Sequence, residues 1–131
     1  MAYRLLSYQS ADGPRAGIAV GEHVFDAQKI SGRADFISVL DILNNWPAAK
    51  TILRAATAQP NVSEAIGIAD TQLLAPVLYP SAIYCAGANY TDHVINMSRR
   101  LGLEPDPDPR TLGLNPWFFL KAARSTVIGH A

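Results

Sequence analysis

The chain has 131 residues, enough for one domain, or for one small domain and the start of a second. Hydrophobic residues make up 49% and charged residues 17%, which is ordinary for a globular protein and argues against a disordered chain. Eleven basic residues balance eleven acidic ones, so the charge favours neither a nucleic-acid partner nor a membrane partner.

The cysteine content and the apolar runs bear on the compartment. Cys85 is the single cysteine, which excludes an internal disulfide and fits a reducing environment. The N-terminal residues contain no apolar run typical of a signal peptide, and no stretch approaches the roughly 18 apolar residues that a membrane span requires. We therefore expect a cytoplasmic protein.

Three short β-strands are predicted at the start of the chain. They cover residues 3–8, 16–20 and 23–26, and the turns between them contain glycine. Short strands joined by such turns are typical of an antiparallel meander.

Two helices are predicted next. Apolar residues recur at helical spacing from 35 to 46, and Asp35 is placed to act as the N-cap. Pro47 is interpreted as part of the stop signal. A second, alanine-rich helix is predicted from about 48 to 58.

A domain boundary is predicted between residues 72 and 73. The run 73–80 contains two prolines, which disfavour a central strand and suit an extended connector. The prediction is therefore a small N-terminal domain over 1–72 and the start of a second domain over 73–131.

The second half predicts a strand, a helix, a long loop and another strand, in that order. These elements cover residues 83–87, 89–101, 103–115 and 117–120. Ile95 and Leu101 are the expected core contacts of the helix. The loop contains a repeated acidic-proline unit over 104–109, which is interpreted either as an active-site lid or as a stiff linker.

Three groups of residues in this half resemble the fumarylacetoacetate hydrolase family. They are the approach over 74–87, the signature GANYTDH over 87–93, and PWFFLK over 116–121. Their order and spacing make the resemblance specific, because the pattern Asn-Tyr-x-Asp-His alone is a weak signal. The residues before them resemble the small N-terminal domain of many members.

The resemblance implies an α+β fold. A small N-terminal β-meander with helices would be followed by the opening strand-helix-strand of a mixed β-roll. It also implies a homodimer that acts on a small 2-oxo or β-diketo acid, such as an acylpyruvate. The reaction would be metal-assisted hydrolytic cleavage of a carbon–carbon bond, decarboxylation or isomerisation, and the cofactor of the complete enzyme would be Mg²⁺ or Mn²⁺.

Two departures from the family pattern change what this chain is expected to do. The family binds its metal with a Glu-x-Glu pair and a further Asp that follow the lysine, and no residues here match them. We therefore expect no metal ion to be bound by this chain alone, which would be an inactive front portion of the enzyme. Several members have a glutamate three residues after the histidine, where this chain has Asn96.

The resemblance assigns roles to four residues. His93 is the candidate general base, because histidine side chains titrate near neutral pH and can take a proton from water. A histidine beside an aspartate is otherwise more often a surface or capping residue. Asn89 and Tyr90 are candidate substrate-binding residues, with a turn-forming Asn and a packed Tyr as the alternative. Lys121 is expected to pair with a substrate oxygen, or else to face solvent at the strand end.

Other residues receive structural interpretations. Asp92 is expected to cap the helix, Cys85 to be a buried small hydrophobic residue, and His23 and His130 to lie on the surface. A non-catalytic domain that serves in assembly or regulation is the alternative function for the whole chain.

Overall fold

A computed structural model of the chain describes residues 2–123 and residue 127, so His130 lies outside the described residues. The chain divides into two compact units between Pro80 and Ser81. The sequence placed the domain boundary earlier, between 72 and 73. Within the described part, no helix is long and apolar enough to cross a membrane.

The first unit contains a four-stranded antiparallel sheet with the order β1-β2-β3-β4. Its strands are β1 (Arg4–Ser10), β2 (Gly13–Val20), β3 (His23–Asp26) and β4 (Ile66–Gly67). The three-stranded meander predicted from the sequence is confirmed. Strand β4 was not predicted, because two residues are too few to form an alternating pattern.

Helix α1 (Ala27–Ser31) follows β3 directly and was not predicted. The Asp26 side chain caps it by accepting a hydrogen bond from the Lys29 N–H. Gly32 ends it in the left-handed conformation, at φ 67°, which a residue without a β-carbon adopts at little cost.

The predicted helix over 35–46 is shorter in the structure. Helix α2 spans Val39–Asn44, and Ser38 caps it in a reciprocal capping box with Asp41. The prediction that Asp35 is the N-cap was wrong: its carboxylate instead lies 2.8 Å from the guanidinium of Arg33. A capping box satisfies two helix-end N–H donors at once, which places the helix start at Ser38.

Pro47 was wrongly interpreted as a stop signal. It lies in the first turn of helix α3 (Trp46–Ala56). In the first turn the missing N–H of proline has no intrahelical acceptor to lose, so proline is favoured there. The predicted helix over 48–58 is therefore present, but it starts and ends two residues earlier.

The core of the first unit lies where the helices cover the sheet. The largest fully buried side chains include Ile18 of β2, Ile42 of α2 and Leu53 of α3. Gly17 lies on the opposite face of the sheet from Ile18, and a β-carbon there would lie 2.5 Å from Cδ1 of Leu6. This unit therefore has a core of its own.

The connector after β4 runs along the free edge of β1. The Gln9 N–H donates to the Gln72 carbonyl, and the Leu74 N–H donates to the Ser7 carbonyl. The buried Ser7 hydroxyl also donates to the carbonyl of Pro76 at 3.0 Å. The extended connector predicted over 73–80 thus supplies hydrogen bonds to an edge strand.

The Tyr8 phenol is buried and donates a hydrogen bond to Asp26 at 3.0 Å. Burial, followed by the charge of Asp26, raises the pKa of Tyr8 from 10.0 to about 12. The unfolded chain therefore loses this proton first as the pH rises. The contribution of the protonated Tyr8 phenol to the stability of the fold is complete below pH 10, and it is lost as the pH passes through about 12.

We expect the folded chain to lose about 2 kcal/mol of stability between these pH values through Tyr8. The measurement is urea unfolding below pH 10 and near pH 12, compared between the wild type and Tyr8→Phe. Tyr8→Phe should lose less stability than the wild type over this interval. Tyr84→Phe, which changes an exposed tyrosine, should behave as the wild type. Equal losses in all three proteins would contradict the expectation.

The second unit has the predicted order of strand, helix and strand. Its elements are β5 (Ile83–Ala86), α4 (Thr91–Leu101) and β6 (Phe118–Lys121), and β5 and β6 pair antiparallel. Ile95 and Leu101 are exposed, so the prediction that they are core contacts was wrong. The buried residues of α4 are Val94 and Ser98. The α+β class is confirmed for the chain, while the mixed β-roll stays a prediction.

Candidate functional site

The candidate site begins where β5 leads into α4. Tyr90 occupies the N-cap position with extended backbone, and no side chain caps the helix. Asp92, which the sequence predicted as the cap, lies inside the first turn instead. That prediction was wrong, although a carboxylate in the first turn is still favoured by the helix dipole.

His93 lies on the surface in the first turn of α4. With Tyr90 and Asp92 it lines an open recess of about 310 Å³, and Ala86 and Gly87 complete the lining. We call this cavity the His93 recess. The structure therefore brings two of the four candidate residues, His93 and Tyr90, into one surface depression.

Asn96 stands where several family members have a glutamate. Its side-chain oxygen accepts a hydrogen bond from the guanidinium of Arg99 at 3.1 Å. An amide used in this way can supply neither a charge nor a proton acceptor to the imidazole one turn earlier. His93 thus lacks a carboxylate partner at this position.

Asn89 holds the segment before β6. Its Nδ2 donates to the Trp117 carbonyl at 2.6 Å, and the Trp117 N–H donates to its Oδ1 at 3.1 Å. This pair of bonds reproduces the contact that a strand neighbour would make. The amide faces the Trp117 backbone, and Asn89 does not line the His93 recess.

Gly87 makes room for the Trp117 ring. A β-carbon at Gly87 would lie 2.2 Å from two carbon atoms of that indole. A side chain at Gly87 would therefore force the indole of Trp117 to move. The sequence marked Gly87 as the end of a strand but offered no sign of its partner.

We expect Asn89→Ala to loosen the attachment of Trp117 to the β5 end. Loss of two hydrogen bonds should cost about 1–2 kcal/mol and shift the Trp117 fluorescence towards the red. The measurement is the emission spectrum in a Trp46→Phe background, where Trp117 is the remaining tryptophan. Asn115→Ala is the matched control, because no hydrogen bond engages that amide among the described residues. An identical spectrum for both variants would contradict the expectation.

Lys121 lies away from the His93 recess. It is the last residue of β6 and pairs with Ile83 at the start of β5, whereas Ala86 of the recess pairs with Phe118. Three residues of strand separate these pairs by roughly 10 Å, and the alternation places them on opposite faces. The Lys121 ammonium is 5.9 Å from the centroid of the Phe119 ring. Its role as a substrate contact stays a prediction.

Two further residues are located by the structure. Cys85 is only half-buried, so the prediction of a buried residue was wrong: the two-stranded sheet covers it incompletely. His23 is exposed, as predicted, and lines a separate groove of the first unit with Phe25 and Val62.

The loop after α4 closes over a second cavity. This cavity is about 100 Å³ and lies between Thr91, Val94 and Ile95 of the helix and loop residues that include Pro109 and Leu114. Sequence reasoning did not identify it. Thr91, Val94 and Ile95 follow helical spacing, so they lie on a different helix face from His93. The acidic-proline segment therefore borders this second cavity and not the His93 recess.

One ion pair organises the end of this loop. Arg110 binds the Asp108 carboxylate, and this contact lowers the pKa of Asp108 to about 2. Asp108 also caps a short 3₁₀ turn, Pro109–Leu112, by accepting from the Arg110 N–H. Its carboxylate is therefore already occupied by protein donors.

The carboxylates of the described residues do not fit a magnesium or manganese site. Such ions need several oxygen ligands that converge on one point. Among residues 2–123 and 127, no three or more His, Cys, Asp or Glu side chains come together in this way.

Comparison of the chain with protein-family models, with curated proteins and with solved structures finds no match.

Proposed function

We propose that this chain forms part of a fumarylacetoacetate-hydrolase-like enzyme that acts on a small 2-oxo or β-diketo acid. The reaction would be metal-assisted cleavage of a carbon–carbon bond, decarboxylation or isomerisation. The proposal rests on the three motifs of the second half. The observation that carries it is the exposed imidazole of His93, which lies beside Tyr90 in a recess at the end of β5.

The proposed task of His93 is to remove a proton from a water molecule. An exposed imidazole in an open recess can be reached by both water and a small acid, and positioned histidines commonly perform this step. Tyr90 lines the same recess, and a phenol can donate a hydrogen bond to a carbonyl oxygen of a bound acid. Asn89 would contribute indirectly, since its hydrogen bonds hold the Trp117 backbone.

The proposal includes a metal ion only for the complete enzyme. Mg²⁺ or Mn²⁺ would polarise the substrate oxygens as a Lewis acid. The described carboxylates do not fit such an ion. The ligands are proposed to follow residue 131 in a longer polypeptide.

Turnover of acetylpyruvate with added magnesium or manganese tests the proposal. The isolated chain should show none, whereas a longer gene product that contains it and continues into a Glu-x-Glu segment should be active. Appreciable turnover by the isolated chain would contradict the account of the metal ligands. A longer product without activity on any 2-oxo acid would contradict the proposed function itself.

A non-enzymatic role in assembly is the second candidate. It is favoured by the large hydrophobic side chains that β5 and β6 expose, among them Tyr84, Phe118 and Leu120. A gene that stops after residue 131 would support this candidate. Continuation into a Glu-x-Glu segment would support the enzyme.

A further inference from the structure

The segment that joins β5 to α4 carries the His93 recess but belongs to no strand or helix. It covers residues 87–90, of which Gly87 and Tyr90 line the recess. Among the described residues, no side chain caps the start of α4, and two of the eleven helix residues are buried. The position of the first helical turn, which contains His93, therefore depends on what holds this segment.

Trp117 reaches this segment through both its backbone and its side chain. The Asn89 amide binds the N–H and the C=O of Trp117, and the Asn89 N–H donates to the Gly87 carbonyl at 2.8 Å. The register of β5 and β6, continued by one residue, places Gly87 opposite Trp117. The six-membered ring of the indole occupies the space that a β-carbon at Gly87 would take. Trp117 is thus attached to both ends of the turn over 87–89.

Gly87 makes this support necessary. Without a β-carbon, a glycine has more backbone freedom than any other residue. An aromatic ring that packs over a glycine of the neighbouring strand restricts that freedom. Trp117 is not one of the described residues that line the recess, so its influence on the recess passes through Gly87 and Asn89.

We propose that Trp117 is a positioning residue for the His93 recess. It holds the turn over 87–89 and thereby fixes where the His93 imidazole lies. This inference rests on the proposed role of His93 as general base. Such a base must lie within hydrogen-bond reach of the proton that it removes, and a misplacement of about 1 Å can cost roughly 10²-fold in rate. Loss of the indole would slow the reaction by letting the imidazole move.

Hydrogen exchange of the 131-residue chain tests the positioning without any enzyme assay. The Val94 N–H is bonded in the first turn of α4, and the Leu103 N–H is bonded at the other end of the helix. Trp117→Leu should speed exchange at Val94 at least about fivefold and at Leu103 less than about twofold, because it releases one end of the helix. Tyr84→Leu is the control, since Tyr84 is an exposed aromatic residue of β5, and it should change neither rate more than about twofold.

A kinetic double-mutant cycle tests the same inference in an active enzyme that contains this chain. Trp117→Leu should lower kcat for acetylpyruvate at least about tenfold. In a His93→Ala background the same change should lower kcat less than about twofold, because the base that Trp117 positions is absent. Tyr84→Leu should leave kcat within about twofold of the wild type.

Trp117→Phe keeps the inference testable if Trp117→Leu does not fold. It retains an aromatic ring beside Gly87 and the backbone groups that bind Asn89. We expect it to lower kcat less than Trp117→Leu and to show the same dependence on His93. Equal losses of kcat from Trp117→Phe with and without the imidazole would contradict the positioning role.

The outcomes separate this inference from the proposed function. Normal turnover of His93→Ala would overturn the role of His93, and the inference with it. If His93→Ala impairs turnover, three results would overturn the positioning role alone. They are no loss of kcat in Trp117→Leu, an equal loss in both backgrounds, and exchange that speeds up equally at Val94 and Leu103 or at neither.

Discussion

His93→Ala is expected to lower the turnover of a 2-oxo acid by about 10²–10⁴-fold in an active enzyme that contains this chain. The imidazole lines the recess with Tyr90 and is the group proposed to take a proton from water. Because His93 is exposed, its removal leaves no buried cavity, so the fold should be unaffected. The measurement is kcat for acetylpyruvate beside a thermal unfolding curve.

His23→Ala is the control for His93→Ala. His23 is also exposed, but it lines a groove of the first unit. It should keep turnover within about twofold, as expected for a surface change that affects neither fold nor site. Metal affinity should be unchanged in both variants, since neither histidine is assigned as a ligand. A His93→Ala enzyme with normal turnover would remove His93 from the mechanism.

Leu53→Ala is expected to destabilise the chain by about 2–5 kcal/mol. Leu53 is fully buried in the core between α3 and the sheet, so truncation removes apolar contacts and leaves a cavity. A loss of this size is a large fraction of the stability of a small domain. Urea unfolding followed by circular dichroism measures it.

Leu43→Ala is the matched control for the core. It makes the same chemical change at an exposed position of α2, and we expect a loss below about 1 kcal/mol. Similar losses for the two variants would mean that α3 does not pack as the structure describes. If the units unfold separately, a probe in the first unit, such as Trp46, isolates the relevant transition.

Hydrophobic pattern predicted the kinds of elements well and their ends less well. The meander and helices α2 and α3 have hydrophobic periods that match their buried faces, so they could be inferred from the sequence. The helix ends depend on individual hydrogen bonds. Asp35 and Ser38 are both good caps by residue type, and the reciprocal bond with Asp41 decides between them. The prediction that Ile95 of α4 is a core contact was wrong, because this apolar side chain is largely uncovered by the sheet.

The candidate site could be predicted only as a set of neighbours along the chain. The motif placed Tyr90 and His93 together, and the first turn of α4 preserves that adjacency. The relation of Lys121 to the recess depends on strand register, which a single sequence leaves open. Likewise, nothing in the sequence pairs Asn89 with Trp117, since the two are separated by a helix and a loop.

The hydrogen bonds from Ser7 and Gln9 to the connector have a consequence for dividing the molecule experimentally. A fragment that stops at residue 72 would lack Leu74 and Pro76, leaving the Ser7 hydroxyl and carbonyl without these partners and part of the β1 edge uncovered. A fragment that continues to Pro80 keeps them. We therefore expect the longer fragment to fold on its own, because its last residues cover the edge of β1.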